Sequence, residues 1–286
     1  MSDLTVSTSA DRREVHIARR GGNHILTHRI PADERPTIHP IIAPDGIGVL
    51  TEDRPSHHPW QRGLYTGFNL VNGVGFWRDE PQDGSFAPHL LGTPVISNGV
   101  ASWSLENLWS HPDGTPMLTE TQRWSLRADA QTYIIDLEWR LTAMIDIEIG
   151  RFMAGGLFLR MPYAPDRGAW ARNSERMENA AAEKQRARWT AVWMPIVGRS
   201  DCAGMAIMDH PSNPAYPTTW RVDSEYGISP SRVIAESWAI AAGAHEAYRY
   251  RVFTFCGEPK DSDIEAVWSD FAETHATSTA ALTAVD

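Results

Sequence analysis

Residues 132–144 read TYIIDLEWRLTAM. Tyr133, Ile135, Leu137, Trp139 and Leu141 alternate with Asp136, Glu138 and Arg140. A period of two places the apolar set on one face of a strand, whereas a helix would scatter it around its axis. The stretch is therefore a half-buried strand, and it decides the fold class. YRYRVFTFC (248–256) repeats the pattern, with Tyr248, Tyr250 and Val252 against Arg249 and Arg251. VASWSLENLW (100–109), TETQRWSLRA (119–128), GGLFLRMP (155–162), ARWTAVWMPI (187–196) and GMAIMDHP (204–211) are further short strands. Clusters of Gly, Pro, Asn and Asp separate them. Asn72-Gly73 is a two-residue hairpin signal, because both residues tolerate positive φ.

One stretch reads as a helix. DSDIEAVWSDFAE (261–273) gathers Ile264, Val267, Trp268 and Phe271 on one side, and Ser262 with Glu265 suggests a capping box. NSERMENAAAEKQ (173–185) is polar all round and reads as a loop or lid. No internal repeat and no Gly/Ser linker is present. The expectation is an all-β chain: a large antiparallel β-sandwich with one C-terminal helix, built as a single domain over 1–275, with 276–286 as a flexible tail. Periodicity alone does not separate a sandwich from a closed barrel.

The net charge of −10 disfavours nucleic acid, and no Lys- or Arg-rich run offsets it. Cys202 and Cys256 lack metal-knuckle spacing and read as free core thiols, which suits a reducing compartment. The first twenty residues have no apolar core of a signal peptide, and no run of about 18 apolar residues occurs. A cytoplasmic protein with no membrane partner is expected; a homo-oligomer is compatible with the sequence.

PSHHPWQRGLYTGFNLVNGVGFW (55–77) concentrates hydrogen-bonding and aromatic groups beyond what packing selects. If SHHPW is extended, His57 and His58 face opposite ways. Arg62 is as suited to a surface ion pair as to clamping a carboxylate, carbonyl or diol. Four of the eleven histidines, His39, His58, His111 and His210, precede proline, whose ring pushes them towards extended backbone. His111 lies in a Pro-Asp-Gly turn and is structural. His210 ends a strand and opens a stiff loop carrying Asn213 and Trp220, with Asp209 beside it. Most of the twelve tryptophans belong to a core, and three or four suit a site. Glu120 is a weak candidate for a general base, against the blander reading of a solvated strand face. No G-x-G-x-x-G before a helix, P-loop, G-x-S-x-G or H-E-x-x-H motif occurs, so no cofactor is expected. No spacing argues for a divalent metal, although histidines from separate strands can converge on one.

RPTIHPIIAPDG, PSHHPWQRGLYTGFNLVNGVGFW, GGLFLRMP and MDHPSNP, in this order, resemble a bacterial family of unknown function often labelled PmoA-like (DUF6807-type). The resemblance runs from about residue 35 to about 255. Methane oxidation is rejected as its meaning, since a methane monooxygenase subunit is membrane-embedded and this chain has no spanning segment. The resemblance implies a supersandwich related to galactose mutarotases, and carbohydrate catabolism. Relatives read His-Pro-His-His-Arg-Gly where this chain has His58-Pro59-Trp60-Gln61-Arg62-Gly63, so Trp60 and Gln61 stand in place of two histidines. In such folds a histidine acid and a carboxylate base work across a sugar ring.

The resulting expectation is an enzyme acting on a sugar or oxidised (keto) sugar derivative by isomerisation, β-elimination or hydrolysis. Its catalytic candidates are His58, His210 and Glu120. The substrate-binding candidates are His39, His57, Trp60, Gln61, Arg62, Asn69, Trp77, Arg160, Asp209, Asn213 and Trp220. The segment 55–77 forms one wall of the site and MDHPSNP the second. The alternative is a non-catalytic carbohydrate-binding or sensing protein, since aromatics and arginine serve binding equally well. A third is a structural role through partner surfaces.

Overall fold

The computed structural model describes residues 3–274. Its first strands are β1 (Leu4–Thr8), β2 (Glu14–Arg19), β3 (His24–Arg29), β4 (Thr37–Ile41) and β5 (Leu64–Phe68). Four long ones follow: β6 (Ser85–Ser97), β7 (Val100–Ser110), β8 (Pro116–Ala128) and β9 (Tyr133–Ala143). Then come β10 (Ile147–Ile149), β11 (Gly155–Leu159), β12 (Trp170–Asn173), β13 (Trp189–Pro195) and β14 (Cys202–Asp209). The chain closes with β15 (Trp220–Val222), β16 (Ile228–Pro230), β17 (Trp238–Ile240), β18 (His245–Cys256) and the helix α1 (Asp261–Ala272).

The strands form two eight-stranded sheets, joined within each by antiparallel pairings. The first runs β1-β2-β3-β4-β5-β11-β16-β15, and the second β12-β13-β14-β18-β9-β8-β7-β6. Strands β10 and β17 make a separate pair. The alternation in β9 explains how the sheets meet. Its odd-numbered residues from Tyr133 to Leu141 are buried in one apolar cluster with Leu64 and Phe68 of β5 and Leu157 and Leu159 of β11. The rings of Phe68 and Trp139 touch across the interface at 5.3 Å between centroids. This is the expected antiparallel sandwich, and each sheet keeps two open edges rather than closing into a barrel.

The outer faces differ, and that difference positions the site. On the second sheet, Ile264 and Phe271 of α1 pack on Trp189, Trp193, Met208 and Phe253. On the first sheet no helix of the described residues does this work. Every residue of β5 is buried, yet Tyr65 faces away from the core and packs with Trp77, Ala154 and Phe158. An aromatic layer laid down by the chain after β5 covers this outer face.

Several local expectations are corrected. The start of α1 has no capping box: its N-cap is Lys260, Ser262 lies inside the first turn, and Glu265 accepts from Arg188 and from Trp189 Nε1. The two cysteines are free but half-buried, not core. Asn72-Gly73 does form a tight turn, with φ of 51° and 79° and Val71 bonded to Val74, but it joins a single bridge and not two long strands. Residues 173–185 form a loop containing one 3-10 turn, Asn179–Ala182. The proposed tail, 276–286, lies outside the described residues. No helix among the described residues is long and apolar enough to cross a membrane.

Candidate functional site

The segment Pro55–Gln61 is turned, not extended. His58 N–H donates to Pro55 O at 2.9 Å, and Gln61 N–H donates to His58 O at 2.9 Å, so two turns follow one another. Pro59 occupies the second position of the later turn, where its fixed φ fits. The consequence reverses the strand expectation: His57 and His58 point the same way, their rings 4.9 Å apart. Both reach one carboxylate oxygen, Glu225 Oε2, at 3.0 Å from His57 Nε2 and 3.2 Å from His58 Nδ1.

Arg160 completes this cluster from below. It follows β11, its side chain is 0 % exposed, and it pairs with Glu52 Oε2 at 2.9 Å. Its NH1 donates to the same Glu225 Oε2 at 2.5 Å, and its NH2 lies 3.3 Å from His57 Nε2. Burial pushes the Glu225 carboxyl up, but the Arg160 hydrogen bond and charge, and then His57, outweigh it and hold Glu225 below the usual range.

The cluster stands at the edge of a small, open cleft with a cavity volume of about 120 Å³. The first turn segment contributes His58, Trp60 and Gln61; Trp77 and Phe158 belong to the aromatic layer over β5; Phe152 and Met153 add an apolar wall. Arg78 sits over Trp60 at 5.4 Å and over Phe152 at 5.9 Å. The segment 221–225 also lines the cleft, with Arg221, Asp223, Ser224 and Glu225. Arg221 is held by an ion pair with Glu183 at 2.5 Å. Asp223 Oδ1 accepts from the backbone N–H of Glu225 and Gly227 at 2.9 and 2.8 Å, whereas Oδ2 accepts no bond from the described residues. Burial raises the Asp223 carboxyl above its ordinary value, and the backbone donors and nearby arginines offset only part of this. Gln61 Oε1 is also buried without a hydrogen-bond partner among the described residues.

Of the expected site residues, the structure gathers His57, His58, Trp60, Gln61, Trp77 and Arg160 here. The others lie elsewhere. His39 Nδ1 is bonded to Thr51 Oγ1 at 2.9 Å. Arg62 is buried in ion pairs with Glu34 and, at 3.5 Å, Asp53, so it is not a free clamp. Asn69, one residue past β5, lines no part of the cleft. Glu120 is a core carboxylate that lines no part of the cleft: Thr66, Gln122 and Trp139 donate to Oε1, and Asn107 and Trp109 donate to Oε2. Trp220 is 0 % exposed and points into the sandwich, its Nε1 donating to Ala187 O at 2.8 Å.

MDHPSNP is not the second wall. Asp209 accepts from Asn213 Nδ2 at 2.7 Å and from Thr218 N–H at 3.0 Å, and Asn213 also bonds both backbone groups of Arg249. His210 packs edge-on against Phe271 of α1, with Arg249 NH1 donating to its Nε2 at 2.8 Å. These residues lock the end of β14 under the helix. Sequence reading missed Arg78, Phe152, Met153, Arg221, Asp223 and Glu225. The available signal was parity on β15, where Trp220 and Val222 turn inward and Arg221 must turn outward.

The model of a family of unknown function, DUF6807, matches residues 17–269. The chain belongs to that family. No curated protein matches the sequence of this DUF6807 chain. Among solved structures, it is similar to the α-galactosidase from Lactobacillus brevis, at 9 % identity and a TM-score of 0.43, covering 89 % of this chain and 40 % of that one. It is also similar to a GH36 α-galactosidase from Geobacillus stearothermophilus in complex with raffinose, at 11 % identity and a TM-score of 0.40, covering 89 % and 41 %. A second GH36 α-galactosidase from that organism gives 12 % identity and a TM-score of 0.37, covering 87 % and 40 %. The DUF6807 chain thus spans about two fifths of the length of these enzymes.

Proposed function

We propose that the cleft takes a sugar or an oxidised (keto) sugar derivative and moves a proton on it. The observation that carries this reading is the presence of His58 and Asp223, whose Oδ2 accepts no bond from the described residues, in one cleft with aromatic and arginine side chains. Asp223 is the proton acceptor, in the role first expected of Glu120. His58, which lines the same cleft, is the group that polarises a substrate oxygen or returns a proton. Trp60 and Met153 offer apolar surface to a ring face, and Arg78 binds a carbonyl, an enolate or a carboxylate. A keto group acidifies the neighbouring C–H, so a carboxylate can remove that proton, leading to isomerisation, to β-elimination or, with water, to hydrolysis.

A proton NMR time course in D2O tests this. The panel comprises anomerically pure sugars, glycosides and 3-keto-glycosides. The expected result is loss of a C–H signal beside a ketone, with rates about 10²–10⁴-fold lower in Asp223→Asn. Full turnover in both Asp223→Asn and His58→Ala overturns the residue assignment. Spectra that stay unchanged across the panel, with saturable ligand contacts to Trp60, instead establish the non-catalytic carbohydrate-binding alternative.

A further inference from the structure

We propose that His57, His58 and Glu225 form a binding site for one divalent transition-metal ion, of the zinc, cobalt or manganese class, at the edge of the cleft. One ligand atom from each of the three lies within 4.8 Å of the others. Two of the separations are 3.0 and 3.2 Å, from His57 Nε2 and His58 Nδ1 to Glu225 Oε2. Donors about 2.1 Å from a common ion stand about 3.0–3.4 Å apart in octahedral or tetrahedral geometry. Two edges of a coordination polyhedron are therefore already drawn. Imidazole with carboxylate is a donor set that suits these metals.

Hydrogen bonding alone satisfies the cluster poorly. His57 Nε2 lies 3.3 Å from Arg160 NH2, a contact that needs a lone pair on that nitrogen. It also lies 3.0 Å from Glu225 Oε2, a contact that needs an N–H. One ring nitrogen cannot meet both demands. An ion accepts the nitrogen lone pair and the carboxylate oxygen together. Arg160 opposes a second cation, but its charge is shared between two carboxylates, Glu52 and Glu225, with which it pairs directly. Gln61 adds an independent sign of a ligand: its side chain is nine-tenths buried, lines the same cleft, and leaves Oε1 unpartnered.

The use of the ion rests on the sugar reading of the cleft. Its open positions would take a keto oxygen or a pair of neighbouring hydroxyls, strengthening the polarising role on the His58 side while Asp223 remains the proton acceptor. The binding itself stands apart from that reading. The test uses the full chain stripped with a chelator, dialysed, and titrated with Co²⁺ alone and then Zn²⁺, by calorimetry and visible absorption. Saturable binding of one Co²⁺, a visible band displaced by Zn²⁺, and at least tenfold weaker binding in both His57→Ala and Glu225→Gln are expected. His111→Ala, in an exposed turn elsewhere, keeps the site. His57 is half-exposed, so its variant stays folded if Glu225→Gln does not. No saturable binding, or binding unchanged in His57→Ala, overturns the ion site. Chelator-resistant turnover in the D2O assay without metal binding removes the ion and leaves the sugar reading standing; metal binding without turnover does the reverse.

Discussion

At the scale of single residues, neighbours in sequence separate into opposite environments. Trp220 is sealed in the sandwich while Arg221 reaches the cleft, because adjacent strand residues face opposite sides. Glu120 shows how a buried carboxylate in a β protein can be structural. Five donors, three of them on Thr66, Gln122 and Trp139 and two on Asn107 and Trp109, converge on its two oxygens and tie both sheets together. Glu120→Gln replaces one acceptor by a donor that faces donors. It should destabilise the fold by about 2–4 kcal/mol, read as a lower urea midpoint. Turnover per folded molecule should persist, whereas an unchanged midpoint with lost turnover would restore Glu120 as the base. The polarity of Glu120 was legible in the sequence. Its partners were not, because Thr66 lies 54 residues away on the other sheet.

At the scale of elements, the end of β14 and the helix α1 form a pH-sensitive joint remote from the cleft. Burial pushes Asp209 up to about 7, against hydrogen bonds from Asn213 and Thr218 that oppose the shift. Burial, and then the charge of Arg249, push the neighbouring His210 down to about 4. The signs are opposite. Asp209 holds a proton in the folded state that the unfolded chain has lost above its ordinary 3.8, so its contribution falls as pH rises towards about 7. His210 is neutral when folded but protonated when unfolded below 6.5, so its contribution rises with pH from about 4 to 6.5. Over that shared window the two slopes cancel. Replacing His210 by Asn should uncover a stability that declines between about pH 4 and 7, and Asp209→Asn should uncover a rise, both read from urea denaturation at a series of pH values. Parallel pH profiles in the two variants would show that the pair is not coupled to folding in this way. The sequence placed these residues together at a strand end, but it suggested a catalytic histidine beside a substrate-binding carboxylate. What it lacked was the helix: Phe271, which covers His210, lies 61 positions further on.

At the scale of the whole molecule, the sandwich was legible because each long strand records its own burial pattern. The cleft was only half legible. Its first wall, with His58, Trp60 and Gln61, is one unusual local segment, whereas its second wall, with Asp223 and Glu225, meets that segment across 168 residues of chain. No local pattern reports such a contact. The architecture also separates stability from binding. The core lies between the sheets, while the cleft lies on the outer face of the first sheet behind a thin aromatic layer. Two tryptophans both expected from the sequence to bind substrate should therefore behave differently. Trp220→Ala opens a hole in the core and should cost about 3–5 kcal/mol of stability. Trp60→Ala removes a half-buried wall of the cleft, should leave the unfolding midpoint nearly unchanged, and should weaken the responding sugar derivative by about tenfold. Calorimetric unfolding and ligand titration on the two variants distinguish the layouts: if Trp60→Ala unfolds the protein as readily as Trp220→Ala, the aromatic layer belongs to the core, and the cleft loses its binding surface.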